Sequence, residues 1–168
     1  DLGGGRKMAV DPVNKDVMYF CSQWNGLIRT FDAATWESVD SSQIPWEVAN
    51  GGGHNKGPQA LSSVIFDTTS GIENNRTKRI FVTVTEIGVY LSEDAGENWT
   101  KIRSGSQKDA VLAEKKGKYY VINDTGTFVY DIGTSIWDTL LINGNKHKAI
   151  AVDPLHQDTI AITQNGGL

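Results

Sequence analysis

A four-residue phrase, Ala9-Val10-Asp11-Pro12, returns near the other end of the chain as Ala151-Val152-Asp153-Pro154. Each copy leads into a polar turn with an Asp four residues after the proline (Asp16, Asp158), then an apolar run. Degenerate copies at Val64-Ile65-Phe66-Asp67 and Asp109-Ala110-Val111-Leu112 fall between them. The anchors Val10, Ile65, Val111 and Val152 thus recur every 40 to 55 residues or so, a period that belongs to repeat architectures. Such a repeat constrains a fold strongly, because each unit must bury its apolar surface on its neighbours. A second anchor closes the units: Gly26 leads to Trp36, Gly88 to Trp99 and Gly126 to Trp137.

Between the anchors lie short runs rich in Val, Ile, Phe, Tyr and Thr: Val17–Phe20, Gly26–Phe31, Arg79–Thr85, Gly88–Leu91, Lys118–Ile122 and Gly126–Tyr130. Bounded by Gly, Asn, Asp and Lys, they read as strands. Ala110 to Lys116 can form a turn of helix before Gly117 closes it. The chain is therefore predicted to be all-β, each unit holding an inner strand, two apolar strands and a fourth that begins at the Trp. Four antiparallel strands per unit at this period predict β-propeller blades, at about 6–59, 60–108, 109–146 and 147–168, the last incomplete. A ring takes four to eight blades or so. The 168 residues therefore read as an incomplete ring, part of a larger propeller.

A net charge of −4 without a basic block argues against general nucleic-acid binding. No apolar run reaches the ~18 residues of a membrane span, and the first residues lack the charged-then-apolar pattern of a secretion leader. The single cysteine, Cys21, excludes an internal disulfide and reads as a small core residue. His54, His147 and His156 follow no metal spacing, so no metal or other cofactor is expected.

Ser92-Glu93-Asp94-Ala95-Gly96-Glu97-Asn98-Trp99 resembles the Asp-box, the S-x-D-x-G-x-x-W hairpin (BNR repeat) of sialidases and related propellers. Thr30-Phe31-Asp32-Ala33-Ala34-Thr35-Trp36 is a shortened copy, and Gly126 to Trp137 keeps the framing Gly and Trp. The pattern makes physical sense as a tight turn: the Asp accepts backbone N–H groups, Gly supplies positive φ and Trp packs between blades. Ser92, Asp94, Gly96, Trp99, Asp32 and Trp36 are therefore expected to be structural. The wider pattern, A-V-D-P to G-L-I-R-T-F-D-A-A-T-W and then Val64–Asp67 with Thr68-Thr69-Ser70-Gly71 before a strand and an Asp-box, resembles the blades of family 74 glycoside hydrolases. That resemblance implies a xyloglucanase-like or β-glucanase-like propeller, an extracellular or surface-exposed setting and a polysaccharide partner.

In such a blade the Asp-box turns share one face, and the second-to-third turns and inter-blade connections share the other, where ligands are expected. That second face receives Ser22-Gln23-Trp24-Asn25 and the long connection from Ser38 to Gln59. Trp24 and Trp46 are candidates for a sugar-stacking platform, because indole offers a flat partner to the C–H face of a pyranose. Asn50, His54 and Asn55 are candidates to bond sugar hydroxyls. The competing reading makes these tryptophans packing elements. Glycoside hydrolysis needs two carboxyl groups about 5–9.5 Å apart. Glu47, Glu86 and Asp124 are the acids nearest that face, but none stands in the family's catalytic motif, and no sialidase arginine triad is found. No catalytic residue is nominated. The leading expectation is a scaffold and part of a glycan cleft, inactive alone, with the catalytic acids outside this chain and the ring completed by the rest of the propeller or a neighbouring chain. The alternatives are a non-catalytic glycan- or protein-binding propeller, such as a surface or viral adhesin, and a structural assembly propeller.

Overall fold

The computed structural model describes residues 8–22, 26–45, 61–84, 87–142 and 146–165. Among the described residues, each run of apolar residues expected as a strand overlaps one. The first sheet contains β1 (Met8–Val10), β2 (Met18–Ser22), β3 (Gly26–Thr30) and β4 (Trp36–Ser38). The second contains β5 (Leu61–Glu73), β6 (Arg76–Val84), β7 (Gly88–Ser92) and β8 (Thr100–Ser104). The third contains β9 (Asp109–Ala113), β10 (Lys118–Ile122), β11 (Gly126–Asp131) and β12 (Ile136–Ile142). A two-stranded sheet of β13 (Lys146–Val152) and β14 (Ile160–Asn165) follows. Every pairing is antiparallel between chain neighbours, so each of the first three sheets is a four-stranded meander, the blade of a propeller. The described residues form an arc of three such blades and part of a fourth.

Register decides which side chains face which neighbour, because directly paired residues point to the same side of a sheet. Val10, Met18, Thr30 and Trp36 form one row across the first sheet. Phe66, Ile80 and Ser92 form the matching row in the second, with Trp99 just beyond it. Leu112, Tyr119, Tyr130 and Trp137 complete the set in the third. This corrects the repeat alignment by one residue: Phe66 and Leu112, not Ile65 and Val111, are the counterparts of Val10. The error is invisible in sequence because both faces of an inner blade are apolar, which removes the alternation that fixes phase.

The core lies between sheets. Tyr19, Cys21 and Leu27 of the first sheet are buried on Val64, Phe66, Ile80 and Val82 of the second. Phe81, Val89 and Leu91 on the other side of the second sheet meet Leu112, Tyr119, Val121 and Tyr130. Tyr120, Ile122 and Val129 then meet Ile150. Two local expectations shift. The segment Thr68–Gly71, expected to precede a strand, lies inside β5 as a register break, and the hairpin turns at Asn74 and Asn75, with φ of 52° and 59°. Asp67 explains this, since its Oδ1 holds the backbone N–H and the hydroxyl of Thr69 while Ser70 Oγ takes the N–H of Arg79. The expected helical turn contracts to one turn of 3₁₀ helix, Glu114–Lys116, closed by Gly117 at φ 59°.

Candidate functional site

The two ends of the blades are built differently. In a meander, turns between first and second strands and between third and fourth strands share one end. At this end Asp94 Oδ1 accepts the backbone N–H of Asn98 at 2.9 Å and the hydroxyl of Ser92 at 2.8 Å, and Oδ2 accepts Asn98 Nδ2 at 2.7 Å. Partial burial pushes the Asp94 carboxyl up, but the bonds from Asn98 and Ser92 outweigh it and hold it below its ordinary value. Asp32 repeats the arrangement, accepting the N–H groups of Thr35 and Ala34 and the hydroxyl of Thr30. Those bonds hold it at about 2. The third hairpin has its own version, which the sequence reading missed: Asp131 accepts the N–H of Thr134 at 2.9 Å and pairs with Lys118. Lys118 first and the Thr134 N–H second bring Asp131 to about 2. No spacing rule marks it, because it is the last residue of β11 rather than two residues beyond the strand.

The Asp-box glycine is required by its neighbour. Gly96 has φ +89°, and a Cβ there would fall 1.9 Å from the Tyr19 hydroxyl oxygen. Tyr19 is fully buried, its ring edge-on to Trp99 at 6.2 Å, and burial chiefly pushes its phenol up to about 12. Gly96 also offers its carbonyl to Trp99 Nε1 at 3.1 Å and to Arg29 of the first sheet. The second blade's hairpin is therefore a socket for the first blade.

Other bonds lock the blades at this end. Asp11 is 2 % exposed, and three donors reach it: Val13 N–H, Thr77 N–H and Thr77 Oγ1–H at 2.8, 2.8 and 2.6 Å. The A-V-D-P aspartate is thus a clasp between first and second blades. Glu114 takes the N–H and hydroxyl of Thr68, joining third to second. Gln157 Oε1 takes the N–H of Lys115, and Asp158 pairs with Lys116, joining the two-stranded sheet to the third. A clasp of this kind needs a partner some 40 to 70 residues away, so local sequence did not reveal it.

The opposite end carries the second-to-third turns and the inter-blade connections. The candidate sugar-binding residues Trp24, Trp46, Asn50, His54 and Asn55, and the acids Glu47 and Glu86, lie outside the described residues. Of the three candidate acids, Asp124 is described, and it is ion-paired with Lys108. Beside it Asn123 Oδ1 folds back on Thr125 N–H, Thr125 Oγ1–H and Gly126 N–H at 2.8–3.0 Å. Gln107 is fully buried; its Nε2 bonds the Gly105 carbonyl at 3.3 Å. Buried polar groups pack beneath this end. Ser63 donates to Thr83, which meets the Tyr119 hydroxyl at 2.6 Å, while Thr127 meets His147 Nδ1 at 3.2 Å. Burial pushes the Tyr119 phenol well above its ordinary value despite these bonds.

A groove of about 470 Å³ runs along the inner strands, with Asp109 and Glu114 among its lining residues. Both carboxylates are engaged, Asp109 Oδ2 by the Ile150 N–H at 3.0 Å and Glu114 by Thr68. Neither presents a free acid–base pair to the groove. No cluster among the described residues has the composition of a metal site, and no helix among them is long and apolar enough to cross a membrane.

Repeated four-stranded meanders, Asp-clasped hairpins on one end, and Trp99 and Trp137 at the two joints between four-stranded sheets define a β-propeller segment. Its sequence carries the relationship further: a xyloglucanase from Hypocrea jecorina is 33% identical over 151 residues, 80% of this chain and 18% of that protein. A GH74 enzyme from Niastella koreensis superposes with TM-score 0.76 at 23% identity, over 95% of this chain and 24% of that one. The GH74 xyloglucanase from Xanthomonas campestris gives 0.75 at 23% identity, over 96% and 26%. No family model matches. The chain is a xyloglucanase-like β-propeller segment of the glycoside hydrolase family 74 type. It spans under a fifth of the length of that curated relative.

Proposed function

We propose that this chain is part of a secreted, carbohydrate-active propeller that acts on a β-glucan such as xyloglucan, and that it supplies scaffold and part of the glycan cleft. The observation that carries the reading is the xyloglucanase relationship across most of the chain, joined to a division of labour between the blade ends. Asp32, Asp94 and Asp131 are consumed by backbone and side-chain bonds at one end, which leaves the other end to meet ligand.

On this reading residues 6–59, 60–108, 109–146 and 147–168 are successive blade units, and Trp24 and Trp46 stack on pyranose rings while Asn50, His54 and Asn55 bond hydroxyls. The pair of carboxyl groups that hydrolysis demands comes from residues outside this chain, and the rest of the propeller completes the ring. Titration calorimetry with xyloglucan oligosaccharides tests the cleft. Binding is expected, with affinity falling at least tenfold in Trp24→Ala and in Trp46→Ala, about 1.4 kcal/mol. Unchanged affinity in both variants removes the platform. Hydrolysis by the chain alone would overturn the split site.

A further inference from the structure

Three Asn-x-Thr triplets stand in the chain: Asn75-Arg76-Thr77, Asn98-Trp99-Thr100 and Asn123-Asp124-Thr125. Such a triplet is the acceptor pattern for an N-linked glycan, with the asparagine amide as nucleophile and the threonine hydroxyl completing the pattern. The fold treats the three asparagines differently. Asn98 Nδ2 donates to Asp94 Oδ2 at 2.7 Å and so helps to hold the Asp-clasped hairpin of the second sheet. Asn123 is half-buried, and its Oδ1 takes the N–H and hydroxyl of Thr125 and the N–H of Gly126. Asn75 is exposed, and its side chain bonds no other described residue. It is the second residue of the two-residue loop between Glu73 and Arg76, with φ of 59° after 52° at Asn74. A hairpin loop with both φ values positive uses asparagine for its backbone and leaves the amide idle. The loop lies at the end of the blades that carries the Asp32, Asp94 and Asp131 turns, so a glycan there stands in water and away from the proposed cleft.

The two residues that follow are locked into the joint between the first two sheets. Arg76 is 7% exposed, lies over the Phe31 ring at 4.0 Å and is ion-paired with Glu97. Thr77 is fully buried and gives both its N–H and its hydroxyl to Asp11, the residue after β1. A transferase must engage the amide and the hydroxyl of one triplet together. In the folded chain it reaches the first and not the second.

We propose that Asn75 is an N-glycan acceptor, and that it is filled before the first two blades close on Thr77. Asn75 Nδ2 attacks the anomeric carbon of an oligosaccharide carried on a lipid pyrophosphate. The C–N bond forms, the anomeric C–O bond breaks, one amide proton is lost and the lipid pyrophosphate leaves. That donor is an anion, so the Arg76 charge beside the amide favours this triplet over the one that holds Asp124. Thr77 then serves twice, as acceptor hydroxyl in the open chain and as clasp donor in the folded one. The proposal rests on the reading of the chain as secreted, and the donor belongs to a eukaryotic secretory pathway.

Expression of the 168-residue chain in a eukaryotic host cell, behind a cleavable leader, tests it. Chain from cells and medium together is stripped of N-glycans in heavy-oxygen water, which leaves labelled Asp at each filled site, and is mapped by peptide mass spectrometry. More than about half of the molecules are expected to be filled at Asn75, and Asn75→Gln removes that glycan. Asp11→Ala breaks the clasp and keeps the triplet, so its occupancy at Asn75 is expected to equal or exceed that of the parent. Lower occupancy at Asn75 in the parent overturns the proposal, and so does occupancy that falls in Asp11→Ala. Modification reads the open chain, so a variant that fails to fold still reports. The leader imposes secretion and no xyloglucan enters the assay, so an empty Asn75 would leave the secreted, glucan-directed reading standing, and failure to bind xyloglucan would leave the acceptor site standing.

Discussion

The hairpins of the first and second blades use the same chemistry and end in different places. Asp32 accepts the backbone N–H groups of Ala34 and Thr35, Asp94 accepts the backbone N–H and side-chain amide of Asn98, and each takes a hydroxyl from the residue two before it. Ala33 and Ala95 both take φ of 58° beside them. Yet Trp99 is buried at a joint and Trp36 stands 44% exposed. The Asp turn is therefore a local device that forms from its own residues, whereas the Trp is a tertiary device that works only against another blade.

Tryptophan truncation exposes this contrast most sharply. Trp99→Ala removes a ring packed on Tyr19 and should cost about 3–5 kcal/mol, as for other buried aromatics. Trp36→Ala in this chain should cost less than about 1 kcal/mol, as for surface positions. Urea denaturation of both variants measures the difference, and equal costs would erase the distinction between the two hairpins.

The fold was legible in sequence because its signal is repeated: A-V-D-P and the Gly-to-Trp spacing each recur at blade period. The bonds that Asp32 and Asp94 make in their turns are local too, each closed within four residues of chain. What was lost depends on distance or on phase. Asp11 reads as the end of a strand, and only the fold brings Thr77 to it. Ile65 and Phe66 are interchangeable in a pattern where both faces are buried. Asp131 performs a turn role from an off-motif position, and no spacing rule finds it.

The next largest effect probes the clasp. Asp11→Ala deprives Thr77 of partners for its buried N–H and hydroxyl, and such losses around a charged acceptor run to about 3 kcal/mol. Asp153, its counterpart in the repeat, bonds the N–H groups of Leu155 and His156 within its own exposed turn, so Asp153→Ala should cost about 1 kcal/mol or less. Comparable costs would mean that the inter-blade bonds of Asp11 add nothing to the turn itself.

The smallest effect is acid sensitivity of the turns. Asp32 and Asp131 both sit at about 2 in the folded chain, against an ordinary 3.8. A depressed folded value means that their contribution is complete above pH 4 or so and is lost as pH falls through about 2. Asp32→Asn should therefore flatten the fall of the denaturation midpoint between those limits. A profile identical to that of the parent chain would show that the bonds to Asp32 do not favour its ionised form.

The account turns on the two blade ends having separate tasks, and hydrogen exchange in the presence of xyloglucan oligosaccharides tests that directly. The predicted result is slowed exchange at residues 105–108 and 123–125 and along the Ser38–Gln59 connection, with no change in the Asp32, Asp94 and Asp131 hairpins. Protection centred on those hairpins, with the other end unchanged, would contradict it.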